Sequence, residues 1–134
     1  MPGSEATRYL SFADVVALHQ AVMERTGHQP APIRDDGLLD SALQRPTMAA
    51  FYEDADLIRQ ATLLAVGIAQ AQAFLDGNKR TAFAALDVFL RINGTSFDGD
   101  PLELAQQLEQ LATRADSLDA ATGRFEQWLR EHIG

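Results

Sequence analysis

Residues 71–85 read AQAFLDGNKRTAFAA, and the parsing of this stretch decides the fold. An apolar, helix-like run stops at Asp76-Gly77-Asn78, and helical spacing resumes behind Lys79 and Arg80. Gly-Asn is a turn signal, so the segment is predicted to join two helices. The first turn of a helix carries unpaired N–H groups and a partial positive charge, so carboxylates are preferred there and fixed cations are mildly unfavourable. Two adjacent cations at that end either break the rule idly or await an anion.

Upstream, DADLIRQATLLAVGIAQAQA (54–73) places Leu57, Ile58, Ala61, Leu64, Ala65 and Ile68 on one stripe and reads as a central helix whose small residues let neighbours approach. Downstream, KRTAFAALDVFLRING carries Ala82, Phe83, Leu86, Phe89 and Leu90 at helical spacing and closes on Asn93-Gly94. Farther out, Ser11 precedes FADVVALHQAVMERTG, a first helix with Gly27 as its stop. HQPAPIRD (28–35) is a loop broken by Pro30 and Pro32, and DGLLDSALQRP is a short helix expected to end near Pro46. TMAAFYED (47–54) is a candidate extended piece. DPLE (100–103) predicts a helix start with Asp100 as N-cap, Pro101 in the first turn and Glu103 at the reciprocal capping position. A last helix from about Ser117 carries Leu118, Ala121, Phe125, Trp128, Leu129 and Ile133 on one side. The fold class is all-α with about six helices, and residues 1–134 are read as a single domain.

Composition bounds the function. With 46% hydrophobic and 22% charged residues the chain has the make-up of an ordinary globular domain, and no run approaches the roughly 18 apolar residues of a membrane helix. The start, MPGSEATRYLSF, has neither a charged n-region nor an apolar h-region, so a cytoplasmic location is expected. Cysteine is absent, which removes disulfides, thiolate nucleophiles and thiolate-bound zinc. A net charge of −8 disfavours nucleic-acid backbone as a partner, so any role for Lys or Arg must be local.

A glycine-containing turn that opens a helix presents N–H donors outward and suits phosphate oxygens. Lys79 and Arg80 add a point charge and a bidentate fork, and Asp76 suits Mg²⁺ held jointly with phosphates. Taken alone, these residues equally fit an ordinary turn with solvated cations. The spacing is not that of a Walker A loop.

QAFLDGNKRTA resembles the central motif of the Fic/Doc (Fido) family, His-x-Phe-x-Asp/Asn-Gly/Ala-Asn-x-Arg. Lys79, with no Arg at position 83, resembles the death-on-curing (Doc) branch; IRDDGLLDSALQRP (33–46) and YLSFADVVALH (9–19) are similar to its upstream signatures. The likeness runs from about Tyr9 to Phe97. It implies a Fido helical bundle in which Phe74 anchors the loop, Asp76 binds or orients Mg²⁺, Gly77 and Asn78 form an anion hole, and Lys79 and Arg80 hold the phosphates of ATP. It further implies a toxin neutralised by an antitoxin protein and transferring phosphate from ATP to a translation protein such as elongation factor Tu; most other Fido proteins transfer AMP.

The resemblance also places Gln72 at the family's catalytic His position. An amide cannot take a proton at neutral pH, so the expected general base is missing. Three explanations fit: a degenerate member, a substitution made to allow a toxic protein to be produced, or slow transfer positioned by Gln72. The chain is then either an impaired phosphotransferase or a module that binds antitoxin or nucleotide without turnover. His19, His28 and His132 stand at no motif position, though His19 lies on a helix that can pass near the site; Asp87 and Asp98 are assigned no role.

Overall fold

The computed structural model describes residues 6–134, so the part of the leader reading that rests on residues 1–5 lies outside the described residues. Six helices follow one another: α1 Phe12–Arg25, α2 Asp36–Glu53, α3 Leu57–Ala71, α4 Asn78–Ile92, α5 Pro101–Ala112 and α6 Leu118–Arg130. Among the described residues, extended pairing is limited to two isolated bridges, Ile33 with Phe74 and Phe97 with Ile133. No described helix is long and apolar enough to cross a membrane.

Helix α3 is the axis of the molecule. The sequence predicts one apolar stripe, yet every residue from Gln60 to Ala69 is buried, because α2, α4, α5 and α6 all pack on it. Gly67 lets α2 lie close against α3: a Cβ there would lie 3.3 Å from Ala42 Cβ of α2. Gln60 brings its polarity into this core satisfied, accepting the Tyr9 hydroxyl at 2.7 Å and donating to the Ala55 carbonyl at 3.0 Å.

The expected stop near Pro46 and the extended piece at 47–54 are both corrected: α2 runs through Pro46 to Glu53. An interior proline loses a hydrogen bond and costs about 3 kcal/mol. Here Leu39, Ala42, Pro46 and Ala49 form one buried stripe at alternating spacings of three and four, and burial against α3 offsets the loss. The helix ends instead at Asp54, in the left-handed region at φ 53°. Ile133, expected on the last helix, lies beyond it and pairs with Phe97. At α5 the Asp100 carboxylate caps the Leu102 N–H as expected; the reciprocal capping box occurs at α1, between Ser11 and Asp14.

Candidate functional site

The loop between α3 and α4 is held from beneath. Helix α3 ends on Gln72 at φ 56°, which turns the chain so that Phe74 points into the core. The Asn78 side chain spans the loop, its Oδ1 accepting the Phe74 N–H at 3.1 Å and its Nδ2 donating to the Phe74 carbonyl at 2.9 Å. That buried amide is therefore committed to the loop, and only the main-chain N–H of Asn78 is left to meet a ligand. Residues 31–34 run alongside as a strap: the Pro32 carbonyl accepts the Leu75 N–H at 3.1 Å, and the Arg34 N–H donates to the Ala73 carbonyl at 2.6 Å. The Arg34 guanidinium also grips the Gln72 carbonyl, through Nε at 3.0 Å and Nη2 at 2.6 Å.

Gly77 is required twice over. Its φ is +80°, and an added Cβ would run into Met23 Sδ and lie 3.1 Å from His19 Cε1. His19 is 1% exposed and lies flat against Phe74, ring centroids 3.9 Å apart and planes 8° from parallel. Its Nε2 accepts the Ala31 N–H at 3.0 Å and its Nδ1 is 2.8 Å from Thr81 Oγ1. Burial lowers the imidazole pKa, against a weaker opposing pull from the Asp76 carboxylate. Both ring nitrogens are engaged, so His19 supports the loop and has no nitrogen free to act as a base in the cleft. His28 and His132 do not line the cleft.

Each of the other five helices begins with a side-chain cap, from Ser11, Asp35, Asp56, Asp100 and Ser117. Helix α4 has none: Gly77 offers no side chain, and its first turn contains no acid. The N–H groups of Asn78, Lys79 and Arg80 find no protein acceptor among the described residues. A cleft of about 580 Å³ opens over this turn. It is lined by Gln72, Asp76 and Gly77 to Arg80 on one side and by Val22, Arg25, Leu108 and Glu109 on the other.

Within the cleft Lys79 Nζ is 3.4 Å from the Glu109 carboxylate, while Arg80 is exposed and has no ion-pair partner among the described residues. Asp76 is exposed, and its Oδ1 accepts the Gly77 N–H at 2.8 Å. The structure thus brings Gln72, Asp76, Gly77, Asn78, Lys79 and Arg80 to one cleft and puts Phe74 beneath them. Sequence reasoning missed Arg25, Arg34, Thr81 and Glu109. Arg34 and Thr81 stood inside stretches already singled out; nothing local distinguished Arg25 or Glu109, which only the packing of α1 and α5 carries to the site.

An all-α protein with one uncapped core helix opening into a cation-lined cleft is the architecture these observations describe. The family model for the Fic/DOC family matches residues 9–90, and the chain belongs to that family. It is 41% identical over 92 residues to "Toxin Doc" of Mycolicibacterium smegmatis (strain ATCC 700084 / mc(2)155), covering 66% of this chain and 71% of that one. To "Protein kinase doc" of Escherichia phage P1 it is 34% identical over 107 residues, covering 79% and 83%.

Proposed function

We propose that this chain is a Doc-type toxin that binds ATP over the start of α4 and is built to transfer its terminal phosphate to a hydroxyl of a translation protein such as elongation factor Tu. One observation carries the reading: α4 alone lacks a side-chain cap, and its bare N–H groups share a cleft with Lys79, Arg80 and Arg25. Those donors and the helix dipole suit phosphate oxygens, Arg80 offers a fork, and Lys79 a point charge once Glu109 yields it. The names of the two relatives, a toxin and a protein kinase, support the same direction.

Asp76 fits Mg²⁺ only in company. No group of three or more His, Asp or Glu side chains capable of holding a metal exists among the described residues. One exposed carboxylate beside phosphate-binding groups matches the way Mg²⁺ is held by one or two carboxylates together with substrate phosphates. Asp76 would hold such an ion together with the phosphates, whose charge it would help neutralise.

In the transfer, the target hydroxyl oxygen bonds to the terminal phosphorus, the bond to the ADP oxygen breaks, and the hydroxyl proton passes to solvent water. Gln72 cannot take it: its side chain donates from Nε2 to the Ala69 carbonyl at 3.3 Å, and an amide has no basic lone pair. We therefore read the chain as competent to bind and slow to turn over. Calorimetry with Mg-ATP on the parent and on a Lys79→Ala/Arg80→Ala double variant tests the clamp; equal affinity in both removes it. Gln72→His should raise transfer to a cell extract by about 10²–10⁴, the usual worth of a general base. Label from γ- but not α-labelled ATP identifies phosphate rather than AMP as the group moved. The second reading, a module that binds antitoxin or nucleotide without catalysis, rests on Gln72 itself and stands if Gln72→His stays inert while Mg-ATP binds. A small antitoxin with basic residues would complement the −8 charge, and co-purification with the product of the neighbouring reading frame checks that partner.

A further inference from the structure

The start of α4 is useful only if its peptide groups face the cleft, and that orientation is set by a carbonyl on the opposite side. The Gly77 C=O points inward and accepts twice from Thr81, from the backbone N–H at 2.9 Å and from Oγ1–H at 2.8 Å. Thr81 is fully buried, and its hydroxyl has a single proton. With that proton on Gly77, Oγ1 can only accept from its other neighbour, His19 Nδ1, at 2.8 Å. Nδ1 must then carry the ring proton, which agrees with the far side of the ring, where Nε2 accepts the Ala31 N–H at 3.0 Å. The chain has one polarity throughout: Ala31 N–H to Nε2, Nδ1–H to Oγ1, Oγ1–H to the Gly77 carbonyl.

Two packing facts fix the ring that transmits it. Phe74 covers one face, and the missing Cβ of Gly77 leaves room for Cε1 at the edge. We propose that His19 and Thr81 form a buried hydrogen-bond relay that positions the Gly77 to Arg80 turn for phosphate, so that residues touching no ligand set the affinity of the cleft. The relay also ties the turn to the strap through Ala31, so turn and strap hold their register together. Neither side chain is a catalytic residue; both act through Gly77. The inference rests on the nucleotide reading above and deepens it.

The test compares Thr81→Val, which keeps the shape and loses the hydroxyl, with Thr81→Ser, which keeps the hydroxyl. Thr62→Val is the control for a merely structural loss, because the Thr62 hydroxyl makes a matched bond to the Ile58 carbonyl at 2.9 Å in buried α3, away from the turn. Thr81→Val should weaken Mg-ATP binding by about tenfold, the effect of one well-placed hydrogen bond. Thr81→Ser should bind as the parent does, and Thr62→Val should lose thermal stability without losing affinity. Imidazole ¹⁵N shifts of the intact protein should report a protonated Nδ1 and a bare Nε2 on His19. His19→Asn, whose amide stands where Nδ1 was, should retain more affinity than His19→Gln, whose amide stands at Nε2.

Parent-like affinity in a folded Thr81→Val overturns the proposal, as does an Nε2-protonated ring. Should the parent bind no Mg-ATP, the nucleotide reading fails by itself. The relay is then judged by amide resonances: Thr81→Val must shift those of Lys79 and Arg80 beyond the shifts in Thr62→Val, and unmoved resonances overturn it.

Discussion

The starts of α3 and α4 are the same structural element treated in opposite ways. At α3, Asp56 caps the Arg59 N–H at 2.9 Å and receives both guanidinium nitrogens of Arg130, at 2.8 and 3.0 Å. Arg130 also reaches Glu126 at 2.6 Å, and Arg59 bonds Glu126 at 2.9 Å. Each charge there meets an opposite one, and α6 is fastened to α3. At α4 the cap is glycine, the first turn holds cations, and Arg80 faces the cleft with no carboxylate partner among the described residues. A helix start that serves the fold closes on itself. One that leaves its N–H donors and Arg80 unmatched gives up a few tenths to about 1 kcal/mol of dipole stabilisation, which the proposed phosphate ligand would recover.

The largest break in this contrast is expected from Gly77→Ala. The left-handed conformation costs about 1–2 kcal/mol without glycine, and overpacking against Met23 and His19 adds about 1–3. Urea melts should show a loss near 3 kcal/mol, together with loss of Mg-ATP binding. A near-neutral Gly77→Ala would mean that the turn is not held as described.

Asp56→Ala comes next and should act on stability alone. Removing an N-cap typically costs about 0.5–2 kcal/mol. The ion pair with Arg130 adds little, because the Asp56 side chain is 57% exposed and such pairs contribute about 0–1 kcal/mol. A loss of about 1–2 kcal/mol with unchanged Mg-ATP affinity is the expected outcome, and altered affinity would erase the division between the two starts.

Arg80→Glu should sharpen the contrast from the other side. An acid in the first turn is favoured by the helix dipole, so the variant should be more stable by about 0.3–1 kcal/mol. It should also bind Mg-ATP about tenfold to a hundredfold less tightly, as expected for losing a charge-assisted contact. A variant that is both less stable and fully competent to bind would show that Arg80 is an ordinary surface residue.

This opposition was half legible in the sequence. Asp76-Gly77-Asn78-Lys79-Arg80 announced a helix start that broke the charge rule, because capping chemistry is local and is written in neighbouring residues. The all-α class, the six helices and the closing glycines Gly27 and Gly94, at φ +80° and +87°, were readable for the same reason. Pro46 misled because its burial against α3 is a property of two helices, and no local rule carries it. Arg130 and Asp56 are 74 positions apart, and the Thr81 hydroxyl finds His19 62 positions away, so neither bond had a sequence signal. The motif named the turn and its anchor Phe74; Arg25 and Glu109, which line the cleft opposite, and His19 and Thr81, which hold the turn from beneath, came from packing.

Acid should separate the two starts by the smallest but most orderly effect. Both regions contain a group with a depressed pKa: His19 lowered chiefly by burial from 6.5, and Asp56 lowered chiefly by its hydrogen bonds to Arg130 from 3.8. When the folded value lies below the unfolded one, the unfolded chain binds more protons in the window between them, so stability is complete above the unfolded value and falls as the pH drops through that window. For His19 the window opens below about pH 6.5, narrowed by the Asp76 carboxylate, which favours the charged ring; for Asp56 it opens only below about pH 3.8. The α4 side should therefore weaken first, while the ion pairs at α3 are still intact. Urea midpoints taken from pH 7 to pH 3 on the parent, His19→Gln and Asp56→Asn check this order. His19→Gln should flatten the slope just below pH 6.5 and leave the fall below pH 3.8, whereas Asp56→Asn should do the reverse. Protonation of His19 would put an N–H against the Ala31 N–H, so its effect is expected in the fold and in the turn together. An unchanged slope near pH 6 in His19→Gln would mean that the ring is not held neutral beneath the loop, and the α4 start would lose the support that distinguishes it from α3.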